Sequence, residues 1–362
     1  MGNGLYPVQG LLPCHDDPIL KERCDCAAMW MPSNYTVAFL MLLCSMICWG
    51  SWANALKMMK GCRFELFYWD YVFGTTAMSF LLAFTMGSMG STGLPFLADL
   101  KNAPWSNIGF AIAGGIVFNA ANILLTGAIE IAGLAVAFPL GVGLSIVIGV
   151  ILNYLISSKN DPALLFGGVA LLIVAIVFDA LAFRAYAGQG AKKATKTGII
   201  LCVVSGVGLG LFYPLVAKSM AGLHHPGPYT IGVLFMLGML LSNFLFNTAI
   251  MVRPITGHPP IPLAAYFRLP ARWHLLGLII GGCVWGTGTV FNFTTSATGI
   301  AGPATSFALG DGGVMVSAIW GLLVWGEFRG ATAPVKRLLT MMFILFVAGL
   351  GLIALSPIVS FW

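Results

Sequence analysis

Asp311 stands near the middle of an apolar stretch of the chain that runs from 299 to 325. An ionised side chain is costly in apolar surroundings, so an acid in such a place needs a reason to be there. A carboxyl group held there can bind and release a proton, or it can be a structural acid that is hydrogen-bonded to a neighbouring helix. We favour the first interpretation, and Asp311 is the leading candidate for a proton-coupling residue.

Two further acids, Glu65 and Asp70, open another apolar stretch, at 66–86. Glu65 falls in the first helical turn, where an acid favours the helix dipole, and Arg63 is close enough in sequence to pair with it. Asp70 lies about 7–8 Å deeper, at 1.5 Å per residue. Both acids are candidates for proton coupling, although for Asp70 a salt bridge to a basic residue of another helix is an equal alternative.

Neutral polar and aromatic side chains in the apolar stretches are candidates for binding a solute. Asn119 and Asn122 are three residues apart and therefore share one face of a helix. An amide both donates and accepts hydrogen bonds, and an aromatic face packs against a flat or ring-shaped solute. The alternatives are that an asparagine bonds to a neighbouring helix and that a tryptophan marks the membrane interface. The candidate substrate-binding residues are Trp49, Asn54, Asn119, Asn122, Tyr213 and Trp285.

The composition places all these residues in a membrane protein. The chain has 362 residues, of which 59% are hydrophobic and 8% charged, whereas a soluble domain carries about 25% charged residues. The net charge of +6 forms no basic patch with exposed aromatics, so no nucleic-acid partner is expected. The eight cysteines include no CxxC pair, so we predict neither a metal site nor a cofactor.

Ten apolar stretches are long enough to cross a bilayer, which takes about 20 residues. They are predicted at 36–56, 66–86, 107–128, 131–156, 163–184, 198–217, 229–251, 274–295, 299–325 and 337–357. The sequence therefore predicts an all-α polytopic membrane protein that is surrounded by lipid.

The chain contains an internal repeat. "IAGLAVAFPLGVG" begins at Ile131 and "IAGPATSFALGDG" at Ile300, so Asp311 corresponds to Val142. Upstream, "AGGIVF" at 113–118 corresponds to "IGGCVW" at 280–285. Each half then holds five helices, and an odd number gives the halves opposite orientations, as in many secondary transporters.

The predicted organisation is a first five-helix repeat at 32–190 and a second at 191–362. Residues 1–31 are interpreted as a disordered tail or a misassigned start, because Met29 and Met31 stand directly before the first apolar stretch.

Lysine and arginine are unevenly distributed between the connections, which predicts the orientation of a multi-pass protein. The odd-numbered connections hold Lys57, Lys60, Arg63, Arg184, Lys192, Lys193, Lys196, Arg253, Arg268, Arg272, Arg329, Lys336 and Arg337. The tail and the even-numbered connections hold Lys21, Arg23, Lys101, Lys159 and Lys218. We therefore expect a protein of the inner or plasma membrane with the odd connections inside and both termini outside.

Three stretches, "CWGSWANALK", "RFELFYWDYVFG" and "GGIVFNAANILL", resemble the ureide permease and bacterial sugar-uptake branch of the drug/metabolite transporter superfamily. The resemblance implies a ten-helix 5+5 inverted-repeat fold and uptake of a small polar metabolite, often with protons. Plant ureide permeases carry a long central cytoplasmic loop with a nucleotide-binding-like motif, whereas the central connection here is only "AYAGQGAKKATKTG". The bacterial glucose, ribose and rhamnose carriers lack such a loop and fit this chain better.

The sequence therefore predicts a secondary active transporter that imports a small neutral polar solute, a sugar first, by proton symport and alternating access. The alternatives are a permease for ureides or nucleobases, and a metabolite or drug exporter of the same superfamily. An enzyme is not expected, because all five histidines lie in tails, loops or at a helix edge. The predicted partners are the solute, protons and the lipid bilayer; the sequence gives no oligomeric state.

Overall fold

The computed structural model describes residues 28–132, 137–157, 160–187, 195–326 and 328–359, which form a bundle of helices. Its α-helices are α1 (Tyr35–Ser51), α2 (Asn54–Met58), α3 (Phe64–Phe84), α4 (Phe96–Asn102), α5 (Trp105–Ala132), α6 (Gly143–Ile156), α7 (Pro162–Ala187), α8 (Lys196–Ser219), α9 (Pro228–Val252), α10 (Ala271–Leu275), α11 (Val284–Ala297), α12 (Gly302–Asp311), α13 (Gly313–Ile319) and α14 (Ala333–Leu355). Three π-helical segments, Phe138–Val142, Leu276–Cys283 and Trp320–Val324, continue these helices, and a short 3₁₀ helix spans Leu263–Arg268.

Within the described part of the chain, eight helical stretches are long and apolar enough to cross a membrane. They are Tyr35–Met58, Trp105–Ala132, Pro162–Tyr186, Lys196–Ser219, Pro228–Val252, Ala271–Ala297, Gly302–Val324 and Ala333–Leu355. Of the two other predicted spans, Leu140–Ile156 is a shorter apolar helix, and α3 has 21 residues but carries two acids. The polytopic helical fold is confirmed, whereas the count of ten spans in a 5+5 repeat stays a prediction. The tail at 1–27 and the boundary at 190/191 lie outside the described residues.

Local chemistry sets where several helices begin. The side chain of Asn34 accepts a hydrogen bond from the Val37 amide at the start of α1, and Thr195 does the same for Gly198 at the start of α8. Such caps satisfy amides that have no partner within the helix. Gly61 has a φ of 80°, which permits the tight turn between α2 and α3.

Side-chain contacts at the helix ends define the two faces of the bundle. On one face, the Glu130 carboxylate near the end of α5 accepts a hydrogen bond of 3.0 Å from the Phe64 amide at the start of α3. This face also carries Lys57 and Arg63, and we call it the Lys/Arg-rich face. On the opposite face, Asn107 in α5 donates to the Ser219 carbonyl at the end of α8. The helices between these contacts therefore span the full thickness of the bundle.

The helices pack in two groups, which we name by their members. The α1 group consists of α1, α11, α12 and α13, and the α8 group consists of α5, α6 and α8. α3 packs against the Leu276–Cys283 segment beside the α1 group, and α9 packs mainly against α5 beside the α8 group. α3 and α9 also pack closely against each other. The groups touch along α6 and α12, while α7 and α14 pair with each other at the edge. This arrangement leaves a space between the two groups near the middle of the bundle.

Candidate functional site

A cavity of about 40 Å³ lies between the α1 group and the α8 group. This volume admits a few water molecules, because a single water needs at least ~10–15 Å³. The α1 group contributes Trp49, Trp52, Trp285, Gly310, Asp311, Gly313 and Val314 to its wall, and the α8 group with its preceding segment contributes Phe118, Asn122, Leu125, Val142, Leu209 and Phe212. Mostly apolar walls with a few polar groups are typical of small-molecule sites.

Stacked aromatic rings form one side of the cavity. The rings of Trp49 and Trp285 lie 5.9 Å apart and are nearly parallel, at 13°. Phe118 stacks on the same Trp285 ring at 4.6 Å, from the other group of helices. The indole of Trp49 also donates a 3.0 Å hydrogen bond to the Thr289 hydroxyl in α11. The hydrogen bond fixes the Trp49 ring, so that the stack presents a preformed aromatic surface.

Asp311 is the one carboxyl on this wall and is 9% exposed. Its Oδ2 atom accepts a 3.0 Å hydrogen bond from the hydroxyl of Ser145 in α6. The bond joins the α1 group to the α8 group. Val142, the repeat counterpart of Asp311, also lines the cavity. The two copies of the repeat therefore contribute equivalent positions, one ionisable and one apolar.

The two predicted amides of α5 have different positions. Asn122 lines the cavity and donates a 3.2 Å hydrogen bond to the hydroxyl of Tyr68 in α3. Asn119 is fully buried and is not on the wall. It accepts a 3.0 Å bond from the same Tyr68 hydroxyl and donates a 2.9 Å bond to Ser242 in α9. Asn122 thus faces the cavity. Asn119 instead bonds to side chains of neighbouring helices, which was the alternative interpretation for a buried asparagine.

Two other predicted substrate-binding residues also lie off the wall. The hydroxyl of Tyr213 in α8 donates a 2.5 Å hydrogen bond to the side chain of Asn292 in α11. Asn54 donates to the Ser51 carbonyl at 2.8 Å and accepts from the Trp325 indole at 2.6 Å, near the Lys/Arg-rich face. Trp49, Asn122, Trp285 and Asp311 are therefore the predicted site residues that the structure brings together.

The remaining predicted acids have partners near the Lys/Arg-rich face. Asp70 is buried and accepts hydrogen bonds from the Tyr266 hydroxyl at 2.6 Å and from His274 at 2.9 Å. Glu65 is buried and forms an ion pair of 2.5 Å with Arg63. Burial, together with the adjacent Asp70 carboxyl, raises the pKa of the Tyr266 hydroxyl, which remains a proton donor at neutral pH. For Asp70, the structure shows His274 as the basic residue of another helix that sequence reasoning weighed against a role in the proton path.

Sequence reasoning did not select Tyr68, Ser145, Asn292 or Phe212, although each lies on or directly behind the wall. The internal repeat did indicate part of the wall, because Phe118 and Trp285 are counterparts in the repeat and both line the cavity. Nothing in the spacing identifies the partners of a tyrosine hydroxyl on another helix. Among the residues that the structure describes, no three His, Cys, Asp or Glu side chains are grouped to hold a metal ion.

The sequence matches known proteins along most of its length. The family model described as "Ureide permease" matches residues 67–198. Ureide permease 1 of Arabidopsis thaliana is 22% identical over 91% of this chain and 99% of its own length. The probable ureide permease A3 of Vigna unguiculata is 33% identical, over 35% of each chain. The probable glucose uptake protein GlcU of Priestia megaterium is 26% identical over 55% of this chain and 63% of its own.

A solved crystal structure supports the fold at a greater distance. It is 13% identical, covers 88% of this chain and 96% of its own, and superposes with a TM-score of 0.58. The relatives are named as permeases and uptake proteins, and not as enzymes. The comparisons confirm the resemblance that the stretches "CWGSWANALK", "RFELFYWDYVFG" and "GGIVFNAANILL" indicate. The chain is similar to the ureide permeases and, over a shorter stretch, to bacterial glucose uptake proteins.

Proposed function

We propose that this protein is a secondary active transporter that imports a small neutral polar metabolite, with a sugar as the first candidate. The observation that carries the proposal is the cavity between the α1 group and the α8 group, where aromatic rings, the Asn122 amide and the Asp311 carboxyl meet. Aromatic faces pack against the apolar faces of a sugar ring, and the amide and carboxyl bind its hydroxyl groups. A site held between two groups of helices suits alternating access.

The proposed coupling ion is a proton, carried by Asp311. This acid lies on the cavity wall and bonds to Ser145 across the boundary between the two groups. Gain or loss of its proton changes that bond, so protonation and the relative position of the groups are physically linked. Asp70 and Glu65 are weaker candidates, because neither lines the cavity and each already has a partner, His274 for Asp70 and Arg63 for Glu65. Residence in the plasma membrane, with the Lys/Arg-rich face inside, is part of the proposal.

A ureide or nucleobase is the second candidate solute. The support for it is the similarity to plant ureide permeases, which extends over 91% of this chain, compared with 55% for the glucose uptake protein of Priestia megaterium. A flat ureide can pack against an aromatic ring of the wall and offers N–H donors to a carboxyl group, so the chemistry of the wall suits both solutes.

The test is uptake of labelled sugars, allantoin and uracil by purified protein in liposomes, with and without an inward proton gradient. We expect one solute to accumulate with the gradient, and Asp311→Asn to reduce accumulation to simple equilibration. Asp70→Asn is the comparison variant and is expected to retain accumulation. Accumulation that survives Asp311→Asn and fails in Asp70→Asn would move the proton site to Asp70. No movement of any solute would contradict the proposal of an importer for these compounds.

A further inference from the structure

Two buried tyrosine–asparagine contacts lie on opposite sides of the cavity. One joins Tyr68 to Asn122 and Asn119, and the other joins Tyr213 to Asn292. All five side chains are almost completely buried. Asn122 belongs to the cavity wall, and Asn292 lies directly behind Gly310 of the wall, where its amide would block any side chain at that glycine. Both contacts therefore adjoin the proposed solute site.

The Tyr68 contact lies on the side of the cavity toward the Lys/Arg-rich face. Tyr68 is one turn from the start of α3, and its ring packs against Tyr71 at 5.2 Å. Tyr71 in turn contacts the ring of Trp52 at 4.8 Å on the cavity wall. The hydroxyl of Tyr68 reaches α5, which belongs to the α8 group, while α3 itself packs beside the α1 group. This contact therefore joins α3, which packs beside the α1 group, to the α8 group on that side of the cavity.

The Tyr213 contact lies on the side toward the opposite face. Tyr213 is six residues from the end of α8, and Asn292 is five residues from the end of α11. Asn292 is held in place by its bonds to the Ser306 carbonyl at 2.7 Å and to the Ser45 hydroxyl at 3.3 Å, both within the α1 group. The ring of Tyr213 also packs on Phe307, at 5.0 Å. This contact again joins the α8 group to the α1 group.

We propose that these contacts are the two closures of the transport path and that they open alternately. We name them the Tyr68 closure and the Tyr213 closure. The inference deepens the proposed transport function and rests on it. With both contacts formed, as here, the cavity has room for a few waters only. In this scheme Asn119 and Tyr213 control access to the site and do not hold the solute.

Hydrogen bonds suit this task because the helices that they join have little other contact. α3 and α5 pack sparsely against each other, and so do α8 and α11. A buried hydroxyl or amide that loses its partner needs water, and water reaches it only when the path on that side opens. Each bond therefore biases its own side toward the closed state by a modest amount, which permits reversible opening.

The test measures the exposure of the cavity from each face without any solute. A reporter cysteine is placed at Val314 on the wall, in protein whose eight native cysteines are replaced by serine or alanine. A membrane-impermeant maleimide is then applied to right-side-out and to inside-out vesicles. We expect Tyr68→Phe to raise the labelling rate from the Lys/Arg-rich face about fivefold, the ratio that one net hydrogen bond confers. The same variant should lower labelling from the opposite face, and Tyr213→Phe should have the reverse pattern.

Tyr186→Phe is the matched control. Its hydroxyl bonds to the Arg329 carbonyl at the edge of the bundle, so its loss should leave labelling from both faces unchanged. If a Tyr→Phe protein is poorly folded, Asn122→Ala removes one of the two bonds of the Tyr68 closure, and Asn292→Ala removes the bond of the Tyr213 closure, in each case from the other partner. Equal changes from both faces, or none, would overturn the closures. Side-specific labelling in protein that moves no solute would keep the closures and overturn only the proposed solute or coupling.

Discussion

The wall of the cavity combines one carboxyl, one amide and five aromatic side chains. Spacing along the sequence was informative for the residues that the helical period places on one face, such as Asn119 and Asn122. The spacing could not distinguish the roles of these two amides, because the Tyr68 hydroxyl from another helix bonds to both of them. Which of two neighbouring amides reaches a solute depends on a tertiary contact, and no local pattern in α5 encodes it.

The aromatic stack leads to a prediction about solute affinity. Trp285→Leu removes the ring that stacks with both Trp49 and Phe118, and each aromatic contact contributes about 0.5–1.5 kcal/mol. We expect KM for the transported solute to rise roughly tenfold or more, since 1.4 kcal/mol corresponds to a factor of ten. Trp69→Leu is the control, because Trp69 is equally buried but packs on Phe73 and Phe244 away from the wall. Equal increases of KM in both variants would contradict a binding role for the stack.

Asp99, between α3 and α5, leads to a prediction about pH. Its carboxyl is buried and accepts a 2.8 Å hydrogen bond from the Gly227 amide before α9. Burial raises its pKa above the ordinary value of 3.8, and the bond from the Gly227 amide and the neighbouring Thr230 and His225 oppose the shift only in part. The folded protein therefore keeps the proton to a higher pH than the unfolded chain, and its stability falls as pH rises through the raised pKa.

We expect Asp99→Asn, which keeps an oxygen for the Gly227 amide, to flatten this fall. The measurement is the thermal midpoint in detergent from pH 4 upward, where the wild type should lose stability relative to the variant. Asp161→Asn is the control, because Asp161 caps the start of α7 through the Leu164 amide in a less buried position. A parallel pH profile for wild type and Asp99→Asn would show that the buried carboxyl has no such effect.

At the level of the elements, the long apolar runs were sufficient to predict where helices lie, since a bilayer demands about 20 apolar residues. The π-helical segments Phe138–Val142, Leu276–Cys283 and Trp320–Val324 could not be predicted from these runs. They arise from packing, and π-helical turns occur often at functional sites. Here the first of them supplies Val142 to the wall, and the second ends just before Trp285.

Glycines determine how closely the second of these segments approaches α3. A Cβ atom at Gly74 would overlap the Leu278 carbonyl, and one at Gly282 would overlap the Tyr71 carbonyl. We expect Gly74→Ala and Gly282→Ala each to lower the thermal midpoint strongly, because the atoms that the added methyl group would overlap are backbone and have to shift. Gly109→Ala in α5 is the control: nothing lies within 4 Å of its added methyl, and alanine favours a helix over glycine by about 1 kcal/mol. A similar midpoint for all three variants would contradict the close packing of α3 on this segment.

Across the whole molecule, the groups that line the cavity do not coincide with the halves of the sequence. The α1 group takes α1 from the first half and α11 to α13 from the second, while the α8 group takes α5 and α6 from the first half and α8 from the second. The repeat in the sequence could indicate that two related halves exist. It could not show that they interlock, because that depends on which apolar faces pack together.

This interlocking leads to a prediction for the separated halves 1–190 and 191–362. Each half alone leaves α1 or α8 without the helices that bury it. In the separated halves, Asn119 would lose its bond to Ser242 and Asn292 its bond to Ser45. We expect each half expressed alone to aggregate or be degraded, and the two halves expressed together to recover solute uptake. A half that is stable by itself in detergent, with a sharp thermal transition, would mean that burial within one repeat is sufficient. Recovery only on co-expression would show that the folding unit is the pair of mixed groups, which are also the bodies proposed to move during transport.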